Sequence, residues 1–107
     1  MGIRTTVTVS IGRNIPEFGR PMGEQGWQEY SAQVARVIRE HSSAVHFIGY
    51  GQGNHAGQEE ESFTVVATSD LTQLSPMRDC FEVLARTYRQ DSIAVTSGAT
   101  RFVGANA

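Results

Sequence analysis

Ser62-Phe63-Thr64-Val65-Val66-Ala67-Thr68 is the stretch of sequence that decides the fold. Its β-branched and aromatic residues fit a pleated, half-buried surface, and alternation puts every second side chain on the same face. An acidic, glycine-rich segment precedes the run and Ser69-Asp70 follows it, so both ends are marked. We therefore predict a central strand over residues 62–68, with Phe63, Val65 and Ala67 on the core side.

A second strand is predicted near the start of the chain, over residues 5–11. Its apolar side chains Val7, Val9 and Ile11 alternate with threonine and serine, as in a strand that buries one face. Residues 12–21 follow as a loop, because glycine and proline recur through them.

Residues 44–50 predict another strand, and the glycine- and glutamate-rich residues at about 50–61 predict a long hairpin loop after it that is mobile at its tip. Simple alternation assigns the side chains of this strand to two faces. Val45 and Phe47 are expected on one face, and His46, Ile48 and Tyr50 on the other.

Two helices are predicted from apolar side chains that recur every three or four residues. The first covers residues 24–41, with Gly23 as its N-cap. The second is expected to begin with Ser75 as N-cap and Pro76 at the first helical position. Residues 93–96 predict a last strand, with a continuation at Arg101-Phe102-Val103 left open.

The resulting order is β-α-β-β-α-β, which is that of the ferredoxin-like split βαβ sandwich. Right-handed crossovers put both helices on one face of a four-stranded antiparallel sheet. The first and third strands are then central, and the second and fourth lie at the edges. A chain of 107 residues is long enough for one such α+β domain, which we expect to cover residues 1–107.

Composition narrows the function further. All nine basic residues are arginine, which removes lysine-based Schiff-base chemistry and a phosphate-loop lysine, and which suggests a high-GC actinobacterial or phage genome. The single Cys80 removes a thiolate-rich metal site. A net charge of −2 gives no electrostatic footprint for nucleic acid. Without a membrane-spanning run or signal peptide pattern, the chain is expected to be cytoplasmic.

A set of short motifs spread over residues 5–95 resembles a known group of proteins. The motifs include Trp27 early in a long helix, Glu61-Ser62 before Phe63-Thr64-Val65-Val66, and Tyr88 followed by Gln90-Asp91-Ser92-Ile93. In these the chain resembles a domain-of-unknown-function family of short bacterial proteins and similar small actinophage proteins. The family's serine-x-x-glutamate capping box is lost here, since Gly23 and Gly26 occupy its places. The resemblance implies the fold and no established reaction.

Candidate sites are few, and each has a structural alternative. His46 could act as a catalytic base beside threonine hydroxyls or Glu61, or could simply lie on a partly covered sheet face. His55 and the glutamates at 59–61 carry metal-ligand side chains, but a flexible hairpin without a second histidine does not fix them in position, so no metal site is predicted. The glycines at 49, 51 and 53 lack the following helix and lysine of a phosphate-binding loop.

Arginine and tyrosine side chains provide the candidate ligand-binding residues. Arg13, Asn14 and Arg20 could hold an anion over the end of the sheet, because guanidinium groups match phosphate and carboxylate. The structural alternative is that they are solvated side chains on a surface loop and bind no ligand. Tyr50 would belong to a pocket on the open face of the sheet. That face is also predicted to show an apolar patch of Ile48, Tyr50 and Val66, which argues for a cover.

The sequence therefore leaves three functions open. The first is a binding or interaction protein, expected to be a homodimer and suggested to be a phage accessory factor that acts on a host protein. The second is capture of a nucleotide or signalling metabolite through Arg13 and Arg20. The third is a cofactor-free enzyme of the dimeric α+β barrel type with His46 as base; no complete nucleophile, base and orienting group is visible for it.

Overall fold

The computed structural model describes residues 2–55, 57–101 and 103–104, except the side chain of His55. The helices and strands lie in the order β1 (Arg4–Gly12), β2 (Asn14–Ile15), β3 (Arg20–Pro21), α1 (Glu24–His41), β4 (Ala44–His55), β5 (Gln58–Asp70), a 3-10 turn (Leu71–Gln73), α2 (Leu74–Thr87) and β6 (Ala94–Gly98).

Four strands form one antiparallel sheet in the order β4-β5-β1-β6. β1 pairs along its whole length with β5, from Arg4 opposite Asp70 to Gly12 opposite Ser62. β5 and β1 are therefore the central strands, and β4 and β6 are the edges, as predicted. The architecture is the α+β ferredoxin-like sandwich, because both helices pack against the same face of the sheet.

The core lies between this face and the two helices. β1 and β5 contribute their alternate apolar side chains, and each helix contributes one buried stripe. Members of the core that are less than 2% exposed include Val7, Val9, Tyr30, Val34, Ile38, Val65 and Met77. Burial of side chains of this size stabilises by roughly 1.5–3 kcal/mol each. In the described ranges, no helix has both the length and the apolarity to cross a lipid bilayer.

The first helix has the predicted bounds, and the second begins earlier than predicted. Gly23 is the N-cap of α1, in an extended conformation and without a side-chain bond. α2 starts at Leu74, so Ser75 is not its N-cap. The preceding 3-10 turn causes the shift, because the Asp70 carboxylate accepts a bond from the Thr72 amide and starts the helical path before Pro76.

The predicted hairpin loop is instead two paired strands. β4 continues through His55 and β5 begins at Gln58, with Gln52 opposite Glu61 and Gly53 opposite Glu60. Glycine weakens a strand on its own. Here the loop after β1 supports the pairing, since the Arg13 amide donates to the Glu61 carbonyl at 2.9 Å. The prediction of a loop over 50–61 was therefore wrong.

A β-bulge between Val45 and Phe47 overturns the predicted faces of β4. The bulge adds one residue, His46, so every later side chain changes face. Ile48 pairs with Val65 and Tyr50 with Phe63, both core-side residues. Phe47 pairs with Val66 and lies on the open face.

The last strand, β6, covers residues 94–98 and is longer at its end than the predicted 93–96. Of the continuation left open after it, Arg101 and Val103 lie outside any strand, and Phe102 lies outside the described residues.

Candidate functional site

A groove of about 500 Å³ lies where the start of α1 faces the middle of β4. Its lining combines charged, amide and aromatic side chains with one glycine, from four parts of the chain: Arg13, Glu24, Trp27, Gln28, Tyr50, Gly51, Gln52 and Glu61. This volume lies within the range of small-molecule sites.

Arg13 lines the groove and is held by three polar contacts. Its Nη1 lies 2.7 Å from Glu61 Oε2 and 3.2 Å from Glu24 Oε2. Its Nε donates to the Met22 carbonyl at 2.8 Å. The hydrogen bond with Glu61 is the main cause that raises the pKa of Arg13. The guanidinium is therefore already matched with carboxylates.

Aromatic rings form one wall of the groove. Trp27 is 2% exposed, and its ring meets the edge of the Tyr50 ring at 6.0 Å between centroids. The Tyr50 ring also packs at 4.8 Å against Phe63. Nevertheless, Tyr50 is 61% exposed, so this tyrosine packs against two neighbouring rings and is still accessible where it lines the groove.

The bulge explains why Tyr50 is here. Predicted alternation put Tyr50 on the open face, whereas the extra residue at His46 turns it toward α1 and Trp27. Gln52 shares this face two residues later. Sequence reasoning missed Gln52 because it lay in the predicted loop.

The electrostatics of the groove favour some ligands over others. Two carboxylates and one guanidinium line it, so its formal charge is negative by one. An anion would meet an arginine whose charge is already matched by Glu24 and Glu61, and both carboxylates would repel it. The groove is better suited to a neutral or cationic molecule with a flat ring, and Gln28 and Gln52 offer amide donors and acceptors to its edge.

The predicted anion-binding residues do not meet in this groove. Arg20 lies over the Phe18 ring at 5.6 Å, and Arg89 lies over the same ring at 5.2 Å. Asn14 is engaged elsewhere, since its backbone N–H donates to Glu60 Oε2 at 2.8 Å and its side-chain Nδ2 donates to the Glu59 carbonyl at 3.3 Å. Of the predicted ligand-binding residues, Arg13 and Tyr50 line the groove, whereas Asn14 and Arg20 do not.

His46 lies on the opposite side of the sheet. Its Nε2 is 2.7 Å from the Thr68 hydroxyl on the open face. The predicted patch of Ile48, Tyr50 and Val66 is divided by the bulge, because Ile48 and Tyr50 face the helices and Val66 does not. In the part of the chain with described side chains, no cluster of three His, Cys, Asp or Glu residues could hold a metal ion.

Comparison with known proteins concerns the fold. No family model matches the chain, and no curated protein matches it. A phage SAM lyase, solved in complex with S-methyl-5′-thioadenosine, is similar with a TM-score of 0.52 and 13% identity, over 92% of this chain and 82% of the lyase chain. The apo state of a phage SAM lyase gives 0.47 and 15%, over 94% and 92%.

A de novo designed protein, Foldit4, gives a TM-score of 0.47 at 9% identity, over 92% of this chain and 97% of the designed one. At 13% identity, the likeness to the first of these lyase structures shows the fold alone. The resemblance to a bacterial family of unknown function stays a prediction.

Proposed function

We propose that this chain binds a small, flat molecule of nucleoside type, uncharged or cationic, in the groove between α1 and β4. The observation that carries the proposal is the Tyr50 ring, which is fixed by Trp27 and Phe63 and is still 61% exposed. A rigid, exposed aromatic ring beside a groove of about 500 Å³ is a stacking surface for a heterocyclic base.

The charges of the groove support a nucleoside over a nucleotide. Glu24 and Glu61 leave Arg13 without free positive charge for a phosphate. A cationic centre next to the ring would instead be attracted by both the carboxylates and the aromatic face. This replaces the anion-capture hypothesis, in which Arg13 and Arg20 acted together.

The fold comparison supplies the first probes. The similar phage SAM lyase was solved with S-methyl-5′-thioadenosine, a nucleoside that carries no phosphate. S-methyl-5′-thioadenosine and S-adenosylmethionine, which carries a sulfonium cation, are therefore the neutral and cationic ligands to test. Adenosine monophosphate is the matched anion.

Fluorescence titration tests the proposal directly, because Trp27 is the single tryptophan and lies 6.0 Å from Tyr50. Saturable quenching by the thionucleoside or by S-adenosylmethionine is expected, with adenosine monophosphate at least about tenfold weaker. Tyr50→Ala should weaken binding by roughly 5- to 150-fold, because stacking contributes about 1–3 kcal/mol per base. Tyr50→Phe should retain it.

Phe18→Ala is the matched control, since Phe18 is an exposed aromatic residue outside the groove. Binding by this variant should equal that of the wild type. The proposal is wrong if neither nucleoside quenches the fluorescence, if adenosine monophosphate binds more tightly than both, or if Tyr50→Ala binds as well as the wild type.

Two predictions from the sequence stand beside this proposal. One is that the chain is a cytoplasmic phage accessory protein that acts on a host protein. The other is catalysis by His46, which lies on the open face of the sheet, away from the groove. Analysis of S-adenosylmethionine after incubation with wild type and His46→Ala separates binding from turnover: a loss of substrate that is equal in both contradicts a role for His46.

A further inference from the structure

β4 is the outer strand of the sheet and its outer side is unpaired within the described chain. It runs for 12 residues, whereas β6 at the other edge runs for five. Each unpaired residue presents backbone N–H or C=O groups in the direction of a further strand. The long edge is thus a template for strand pairing.

Natural edge strands are blocked by charged side chains, by proline or by bulges. β4 has no lysine, arginine, aspartate, glutamate or proline from Ala44 to His55. Its one protective feature is the bulge at 45–47, and from Phe47 to His55 the register with β5 shows no further shift. The part of β4 beyond the bulge is open to pairing.

Large apolar side chains along this open part are exposed on both faces of the sheet. Phe47 is 54% exposed on the open face, and Ile48 and Tyr50 are 41% and 61% exposed on the helix face. Gly49, Gly51 and Gly53 follow Phe47 on the open face. The Phe47 ring covers Gly49. Gly51 and Gly53 have no side chains, so the open face has room there for an aromatic ring from a neighbouring chain.

We propose that β4 pairs antiparallel with β4 of a second copy of this chain, which joins two four-stranded sheets into one of eight strands. An antiparallel pair around a two-fold axis is self-complementary, so the same backbone groups and side chains serve both copies. The uncharged strand favours a second copy as the partner, because pairing it with itself brings no like charges together at the contact.

This dimer does not depend on the proposed ligand, although Tyr50, Gly51 and Gln52 lie on both the edge and the groove wall. The second copy would extend that wall beyond β4. Oligomeric state is therefore measured without ligand, so that failure of one proposal leaves the other intact.

Native mass spectrometry and light scattering over a concentration series test the interface. The wild type is expected to be a dimer. The double variant Phe47→Lys/Ile48→Lys places two charges on the edge and should weaken the dimer at least about tenfold. Both residues are substantially exposed, so the fold should tolerate the change. Val83→Lys, at a 53% exposed apolar position on α2, is the control and should remain dimeric.

Hydrogen exchange of the wild type gives a second measurement that needs no variant. Pairing of β4 should protect consecutive amides from Phe47 to Asn54, because both the inward and the outward N–H groups are then bonded. A monomeric wild type, a dimer that persists in the double variant, or alternating fast exchange along β4 would each overturn the proposal.

Discussion

Replacement of Tyr30 by phenylalanine is expected to stabilise the fold. Tyr30 lies at the centre of the core with 0% exposure, stacked on Tyr88 at 4.7 Å and edge-on to Trp27 at 6.3 Å. Its hydroxyl is buried, and no group in the described part of the chain forms a hydrogen bond with it. Phenylalanine keeps the ring and removes only this unbonded hydroxyl.

The size of the effect follows from the cost of burying a hydroxyl without a partner, which is about 1–3 kcal/mol in mutational series. The small void left by the oxygen offsets part of this gain, because packing contacts on that side are lost. We expect the free energy of unfolding to increase by about 1 kcal/mol, which raises Tm by about 4 °C in a domain of this size.

Urea and thermal unfolding, followed by circular dichroism, measure this change. Tyr88→Phe is the control for the loss of a tyrosine hydroxyl in the same stack, since Tyr88 is only partly buried and should change stability by less than about 0.5 kcal/mol. If Tyr30→Phe lowers the free energy of unfolding by about 1 kcal/mol or more, the hydroxyl has a partner and the reasoning is refuted.

Two more predictions concern the same core and the join between α1 and β5. Burial raises the pKa of the Tyr30 phenol above its ordinary value of about 10, with smaller contributions from Glu60 and Tyr88. Above about pH 10 the unfolded chain loses this proton and the folded chain keeps it, so the free energy of unfolding should fall with rising pH. Urea titrations at about pH 8 and 10.5 measure this fall, which should be smaller in Tyr30→Phe. Ser69 is buried and its Oγ donates to the His41 carbonyl at 2.6 Å. Ser69→Ala should lower the free energy of unfolding by about 1–2 kcal/mol, whereas Ser97→Ala at an exposed position should change it by less than about 0.5 kcal/mol; equal effects would contradict the role of this bond.

The fold could be predicted because its central elements follow simple periods. Residues 24–41 carry an uninterrupted helical stripe, and the structure has α1 over the same residues. β1 and β5 alternate strictly, which identified their buried faces. Each of these elements buries one face, so the spacing of its apolar residues in the sequence shows whether it is a helix or a strand and which face is buried.

The candidate site could not be predicted, because it depends on features without a compositional signature. A bulge is one extra residue in an ordinary strand, and nothing in Ala44-Val45-His46-Phe47 distinguishes it from regular alternation. The pairing of Arg13 with Glu61 links residues 48 apart in the sequence. Arg13 looked free for an anion only because its partner, Glu61, was assigned to the predicted hairpin loop.

The bulge at His46 makes the groove sensitive to chain length as well as to composition. His46 lines none of the groove, yet deletion of this one residue would return Tyr50 and Gln52 to the opposite face and put Phe47 toward the helices. A substitution at 46 keeps that arrangement and a deletion inverts it. A gap at this position in a related sequence would therefore affect ligand binding, although His46 itself does not line the groove.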